Sequence, residues 1–197
     1  MVAAFTKQYP SIQVELLLND AKLDVLGDEL DVGLHVDLPS DGNVISRVLI
    51  ASRRVVCATP EYLTRHPAPS VPADLRDHDC IRYVRGRYVM DRWMFMESGK
   101  VTETQIRGTL TTDNGEVLHA WALAGCGVAL KAHWDVEDDL RTGRLVELLA
   151  AYACDEIKLY AAYPSRQYLP PRTRVFIDFM AKNLGGVIPQ GDGRAAQ

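Results

Sequence analysis

The sequence has no long hydrophobic run. None of its apolar stretches approaches the roughly 18 residues that a membrane-spanning helix needs, and stretches such as 48–51 and 128–130 have the length of buried strands. The start of the chain also lacks the basic and apolar regions of a secretory signal. We therefore expect a protein that neither spans a membrane nor is anchored to one, and a cytoplasmic location.

Signatures of metal, nucleotide and catalytic sites are scarce as well. The four cysteines stand alone, without Cys-x-x-Cys spacing, which predicts reduced, buried thiols. The five histidines show no metal-ligand spacing, and the segment 125–130 lacks the third glycine of a dinucleotide fingerprint. The serine-hydrolase elbow, the zinc-protease motif and the Walker loop are absent. We expect no cofactor, no metal and no catalytic residue.

Two clusters of reactive side chains have plainer interpretations. His78-Asp79-Cys80 lies in a predicted loop, where adjacent side chains diverge, so a surface or capping role is favoured over a shared metal. Glu137-Asp138-Asp139 ends a predicted amphipathic helix, and such a run is typical of a solvated face.

Composition and charge describe a folded globular chain. Hydrophobic residues make up 47% and charged residues 24% of the 197 residues, enough for one large domain or two small lobes. The net charge of -4 argues against a nucleic-acid surface over the whole chain. Residues 1–41 carry eight acids and two lysines, whereas residues 82–107 carry six bases and three acids. This asymmetry indicates either a basic binding face or, as we favour, a solvated surface.

Apolar periodicity divides the chain into two blocks of strands and helices. Strands separated by helices predict parallel sheets with right-handed crossovers. The predicted helices cover 1–9, 20–30, 60–63, 114–124, 133–140 and 171–184. The predicted strands cover 12–18, 31–36, 44–59 (broken at 52–54), 81–84, 90–95, 102–111, 128–130, 145–149 and 157–163. The order predicts two lobes joined by two connecting strands, with a small-molecule site in the cleft between them.

A polar junction stands out at Thr111-Thr112-Asp113-Asn114-Gly115, between a predicted strand and a predicted helix. Hydroxyls, an amide and the free N–H groups of a helix start converge there, as in sites for a carboxylate or similar anion. The alternative is an ordinary helix cap, in which Asp113 or Asn114 bonds the first-turn amides and nothing else. Taken alone, these residues favour the cap.

The order of segments resembles one known family. The matching pieces run from Phe5-x-x-x-Tyr9-Pro10 and Asp24-Val25-Leu26 through 53–63, 72–80, Asp113-Asn114-Gly115, 124–130 and Gly143-Arg144-Leu145-Val146 to Tyr163-Pro164-Ser165-Arg166 and 176–179. In this order they resemble the effector-binding region of LysR-type transcriptional regulators, in the branch with Tyr-Pro-Ser-Arg near the C-terminus.

The resemblance implies a two-lobed α/β fold like that of type II periplasmic binding proteins, with two crossover strands. We expect lobe I over 1–54 without its first strand, lobe II over 55–157, a return to lobe I over 158–186 and a disordered tail over 187–197. The family's function implies a domain that senses a small metabolite and passes the signal to an N-terminal winged helix-turn-helix, which is missing here. We therefore expect a fragment of a longer regulator.

The resemblance also implies candidate effector contacts, matched by position. They are Asn19, Val36, Asp37, Tyr83, Val84, Arg85, Thr112 and Asp113. The chain departs from the branch at His35, at Asp37 and at Lys131-Ala132, where Leu-Pro is usual. Lys131 ends a predicted strand beside the helix start, so we add it to the site and expect an anionic effector. The alternative is that Lys131 extends to solvent from the rim.

Partners follow from the same resemblance. We expect self-association as a dimer, or a tetramer of the full-length protein, through the segments 1–18 and 114–124. Leu16, Leu18 and Trp121 are candidate contacts, and the alternative for each is a role in the core. DNA is expected to bind only through the missing domain. One alternative is a stand-alone solute-binding protein of the same fold, disfavoured by the lack of a signal peptide and by four unpaired thiols. The other is an enzyme on this scaffold, for which no nucleophile and base can be proposed.

Overall fold

The computed structural model describes residues 1–18, 30–36, 44–165 and 169–184. The chain divides into two compact units. Unit 1 comprises the described residues up to 51 and those from 158 onward, and unit 2 comprises residues 52–157. In these described parts of the chain, no helix combines the length and the apolar content needed to cross a membrane.

Five α-helices and ten strands are assigned in the described residues. The helices are α1 (Val2–Gln8), α2 (Pro60–Arg65), α3 (Gly115–Leu123), α4 (His133–Thr142) and α5 (Pro171–Leu184), with 3-10 turns at Pro72–Asp77 and Ala150–Tyr152. The strands are β1 (Gly33–His35), β2 (Val44–Ala58), β3 (Arg82–Arg85), β4 (Tyr88–Met90), β5 (Arg92–Glu97), β6 (Lys100–Gln105), β7 (Thr111–Thr112), β8 (Ala129–Ala132), β9 (Val146–Leu148) and β10 (Glu156–Pro164).

Unit 1 is built around an aromatic core. Phe5 on α1 is fully buried, and its ring meets those of Phe176 and Phe179 on α5 edge-on, with centroids 5.0 and 5.3 Å apart. Tyr9 packs against the same group. Strand β1 pairs antiparallel with β10, with Leu34 opposite Ala161. The core of unit 1 therefore joins residues from the two ends of the chain.

Unit 2 contains a sheet with an apolar cluster on each face. The second half of β2 pairs antiparallel with β8 on one side, with Val55 opposite Lys131, and with β9 on the other. Val55 and Cys57 pack with α3 and α4, whereas Val56 and Ala58 pack with the β5–β6 hairpin and α2. A strand buried on both faces is apolar without alternation, which explains the run 55–58.

Two parallel pairings bring further segments of unit 2 together. Strand β3 pairs in parallel with β7, and Cys80, just before β3, forms a parallel bridge with Val128, just before β8. Gly127 makes this bridge possible, because a Cβ there would lie 2.3 Å from the carbonyl oxygen of Asp79. The carboxyl ends of β3, β7 and β8 therefore meet at one edge of unit 2.

Three predictions of secondary structure are wrong. Residues 12–18 form no strand. The run 44–58 is one continuous strand, because the Arg54 amide bonds the Asp155 carbonyl at 2.8 Å and the pairings with β8 and β9 carry the strand past 52–54. The parallel pairing expected early in the chain is replaced by the antiparallel contact of β1 with β10. The helix predicted over 20–30 and the tail over 187–197 lie essentially outside the described residues.

Candidate functional site

The candidate site is the edge of unit 2 at which β3, β7 and β8 end, and we call it the carboxyl edge. It comprises residues 83–85, 112–115 and 131. Tyr83 and Thr112 are direct neighbours in the parallel pairing of β3 with β7. The structure thus brings together two predicted effector contacts that are separated in the sequence. Ligands of open α/β sheets collect at such edges, because the loops that follow the strands leave a crevice there.

The strand-to-helix junction is organised as a helix cap. Asn114 is the N-cap of α3, and its side-chain oxygen accepts hydrogen bonds from the amides of Glu116 and Val117, both at 3.0 Å. The Asn114 amide in turn donates to Thr112 Oγ1 at 3.1 Å. Asn114 therefore caps α3, and a binding role of the junction stays a prediction. Asp113 and Asn114 are both exposed.

Lys131 lies beneath this junction. Its side chain is 7% exposed, and its Nζ donates to the Gly115 carbonyl at 3.1 Å and lies 3.1 Å from Asp135 Oδ2 on α4. The alternative in which Lys131 extends to solvent is wrong, because β8 directs it onto the face covered by α3 and α4. The role of Lys131 as an effector contact stays a prediction.

Tyr83, Val84 and Arg85 are half-buried on β3, which forms a hairpin with β4. The positive charge of Arg85 acts on Asp155. Burial raises the pKa of the Asp155 carboxyl, and the charges of Arg54 and Arg85 counteract this rise. The Arg54 Nε lies 3.4 Å from Asp155 Oδ2. A cluster of two bases and one acid therefore lies close to the end of β3.

Sequence reasoning missed three of these charged residues. Arg54 and Asp155 are far apart in the chain, and no local signal connects them. Asp135 follows Lys131 by four residues, but Lys131 lies on β8 and Asp135 on α4, so the spacing rule for ion pairs on helices does not connect them. Of the other predicted contacts, Val36 is half-buried in unit 1, whereas Asn19 and Asp37 lie outside the described residues.

The triplet His78-Asp79-Cys80 has a structural role in unit 2. Tyr62 Oη lies 3.2 Å from His78 Nδ1 and accepts a hydrogen bond from the Asp79 amide at 3.2 Å. Burial raises the pKa of the Tyr62 hydroxyl and lowers the pKa of the His78 imidazole. Within the part of the chain that the structure describes, no group of three acidic, histidine or cysteine side chains is arranged to hold a metal.

Two further predictions are wrong in part. Asp139, predicted to belong to a solvated face, is 2% exposed, because α4 directs it inward to His119 Nε2 at 2.8 Å and to Arg144 at 2.6 Å. All four thiols are free, but only Cys57 and Cys80 are buried; burial raises the pKa of both to about 12. Cys126 is exposed, because it lies in the turn between α3 and β8.

Comparison with known proteins identifies the family. A family model described as the LysR substrate binding domain matches residues 1–185. The chain belongs to this family. It is 29% identical over 180 residues to the HTH-type transcriptional activator TtdR of Escherichia coli K12, which covers 91% of this chain and 58% of TtdR. It is 32% identical over 183 residues to the HTH-type transcriptional regulator PtxR of Pseudomonas aeruginosa, covering 93% of this chain and 58% of PtxR.

Solved structures of LysR-type regulators match this LysR substrate binding domain. The CrgA regulatory domain of Neisseria meningitidis has a TM-score of 0.81 and 28% identity, covering 93% of this chain and 90% of that domain. Full-length AphB of Vibrio cholerae has a TM-score of 0.79 and 26% identity, covering 93% of this chain and 62% of AphB. These likenesses confirm the predicted two-lobed fold. The chain spans 58% of the length of the curated relatives TtdR and PtxR.

Proposed function

We propose that this LysR substrate binding domain senses a small-molecule effector and controls DNA binding by a regulator of which it is a part. The observation that carries the proposal is the family match over residues 1–185, supported by the likeness to the CrgA regulatory domain over nearly all of both chains. Curated relatives named as transcriptional regulators extend beyond the matched region. We infer that DNA binds through a helix-turn-helix domain outside this sequence, and we expect no catalytic activity and a cytoplasmic location.

The carboxyl edge is the proposed effector site in unit 2. It brings together Tyr83, the Thr112 hydroxyl and the cations Arg85 and Lys131 at the ends of neighbouring strands. A few polar groups that converge beside apolar side chains are typical of small-molecule sites, because they orient the ligand while burial supplies affinity. The proposed contacts are Tyr83, Val84, Arg85, Thr112, Asp113 and Lys131, together with Val36 of unit 1 and with Asn19 and Asp37 outside the described residues.

A metabolite screen tests the effector role. Thermal unfolding of the 197-residue chain is measured with each compound, because a ligand at 100 times its Kd stabilises the folded state by about 2.7 kcal/mol. Hits are then titrated by calorimetry into the wild type, Tyr83→Phe and the matched control Tyr88→Phe. Tyr88 lies on β4 of the same hairpin and is 78% exposed. We expect a hit to bind Tyr83→Phe about 3- to 10-fold more weakly and the control unchanged.

The result that contradicts this site is equal affinity for both tyrosine variants, which removes the Tyr83 hydroxyl from it. A screen in which no metabolite binds contradicts the effector role itself.

For DNA, we expect the 197-residue chain to give no sequence-dependent gel shift at ~150 mM salt, because its net charge is -4 and specific binding needs phosphate contacts from basic groups. A sequence-dependent shift would overturn that part of the proposal.

A further inference from the structure

Lys131 is a buried cation with an accessible counter-ion. Its side chain is 7% exposed, whereas the side chain of Asp135, which neutralises it, is 42% exposed. A buried ammonium is costly unless an opposite charge and hydrogen bonds compensate it. Here Asp135 supplies the opposite charge, and the Gly115 carbonyl accepts one hydrogen bond from Lys131 Nζ. Solvent therefore reaches the carboxylate that contacts Lys131, although it hardly reaches Lys131 itself.

Two other carboxylates near this face are already engaged. Asp139 is paired with His119 and Arg144, and Glu147 accepts two hydrogen bonds from the guanidinium of Arg53. Among the described residues, Asp135 is the carboxylate recorded in an ion pair with Lys131. The ammonium has three N–H donors, so a carboxylate can take one without disturbing the bond to Gly115.

We propose that Asp135 is a displaceable counter-ion and that the effector is an organic anion whose carboxylate takes its place on Lys131. Exchange of one carboxylate for another preserves the compensation of the buried charge, and the released Asp135 becomes hydrated at the surface. The released residue lies in the first turn of α4, so binding changes a contact between β8 and this helix. This inference rests on the proposed function, because it names the chemical class that the carboxyl edge recognises.

Chemical rescue tests the exchange without a known effector. Asp135→Ala removes the internal counter-ion and leaves space for formate, which is the probe. Asp138→Ala is the matched control: it removes one exposed carboxylate from the same helix, but one whose partner Arg141 has a side chain that is 70% exposed. Thermal unfolding is followed at neutral pH in sodium formate, in sodium chloride of equal ionic strength and in formamide, the neutral analogue.

We expect formate to raise the Tm of Asp135→Ala by about 2–4 °C relative to chloride, as about 1 kcal/mol of binding linkage would do. Formamide should have no such effect, and the wild type and Asp138→Ala should respond little to formate. An equal response of Asp135→Ala and Asp138→Ala overturns the exchange, because it reports a general effect of charge.

An effector from the metabolite screen provides the second arm. Lys131→Met should weaken an anionic effector about 10- to 100-fold, because a hydrogen bond to a charged group is lost, whereas Asp135→Ala should bind it more tightly than the wild type. An uncharged effector, or one that binds Lys131→Met normally, overturns the inference and leaves the proposed function intact. Formate rescue in a protein that binds no metabolite has the opposite meaning: the exchange stands and the proposed function fails.

Discussion

The two units differ in the sequence separation of the residues that form their hydrophobic cores. The core of unit 1 joins Phe5 to Phe176 and Phe179, about 170 residues further along the chain. Both core clusters of unit 2 lie within residues 55–152. Contacts at long sequence separation form only after the entropy of closing a long loop has been lost. The core of unit 1 therefore forms only when the two ends of the chain come together, whereas the core residues of unit 2 all lie within one continuous stretch of the chain.

The units also differ in what they bury. The core of unit 1 is aromatic and aliphatic, and among its described residues Thr173 is the buried polar side chain. Unit 2 buries four polar or charged side chains, Thr59, His78, Lys131 and Asp139. Buried charges are costly unless they are paired and hydrogen-bonded, and Lys131 and Asp139 each have such a partner. This difference agrees with our assignment of the candidate site to unit 2.

The largest expected effect is the loss of the aromatic core of unit 1. Phe5→Ala should lower the free energy of unfolding by about 3–5 kcal/mol, because Phe5 is fully buried between two other rings. Hydrogen exchange should locate the loss in α5 and β10, while β3, β5 and β6 keep their protection. The control Tyr88→Ala, at a side chain that is 78% exposed, should change stability little. Equal loss of protection in both units would show that their cores are not independent.

A smaller effect is expected from the parallel bridge of unit 2. Gly127→Ala should cost about 1–3 kcal/mol, because its Cβ would meet the Asp79 carbonyl oxygen at 2.3 Å and the backbone must shift. Gly115→Ala is the matched control, since a Cβ there meets no atom within 4 Å. Denaturant unfolding measures both variants. Equal stability of the two variants would show that the backbone at the parallel bridge can shift at little cost in free energy.

The third prediction concerns the stability of unit 2 at acid pH. Burial lowers the pKa of His78 below its ordinary value of 6.5, so the unfolded chain binds the proton more readily than the folded one. The stability that neutral His78 contributes is therefore complete above 6.5 and declines as the pH falls below it. The groups around His78 are Tyr62, His66, Asp74 and Asp77.

His78→Gln keeps a polar contact for Tyr62 but cannot titrate. We expect its unfolding free energy to be flatter than that of the wild type between pH 6.5 and the acid range in which Asp74 begins to matter. Backbone hydrogen bonds lower the pKa of Asp74 from its ordinary 3.8, so stability from Asp74 is lost only as the pH falls below that value. Parallel curves for the two proteins above pH 4 would contradict the role of His78.

The smallest effect on stability is expected at the exposed leucines of unit 1. Leu16 and Leu18 are 59% and 86% exposed, so Leu16→Ser and Leu18→Ser should change the stability of a monomer by less than about 0.5 kcal/mol. If the segment 1–18 mediates the predicted self-association, both variants should nevertheless weaken the dimer in sedimentation velocity runs. Val101→Ser, at an apolar side chain of unit 2 that is 54% exposed, is the control. A wild type that sediments only as a monomer would refute the pairing.

Local signals determined most of the helices. The Asn114 cap defines the start of α3, Gly143 in the left-handed conformation ends α4, and Pro171 begins α5. The proximity of Tyr83 to Thr112 was also predictable, because parallel strands bring their carboxyl ends to one edge. These features depend on neighbours in the chain or on a general rule of topology, so one sequence is sufficient to infer them.

The order of the segments that resemble LysR-type regulators was likewise evident in the sequence by itself. This order was sufficient to predict the two-lobed fold. Only the tertiary structure decided which charges are buried and which residues pair with them. Asp139 and Lys131 are both charged residues in ordinary polar contexts, yet α4 and β8 turn them inward to His119 and Asp135. The free energy of a charged side chain depends on its solvent exposure and on the distance to its counter-ion, and both quantities exist only once the chain has folded.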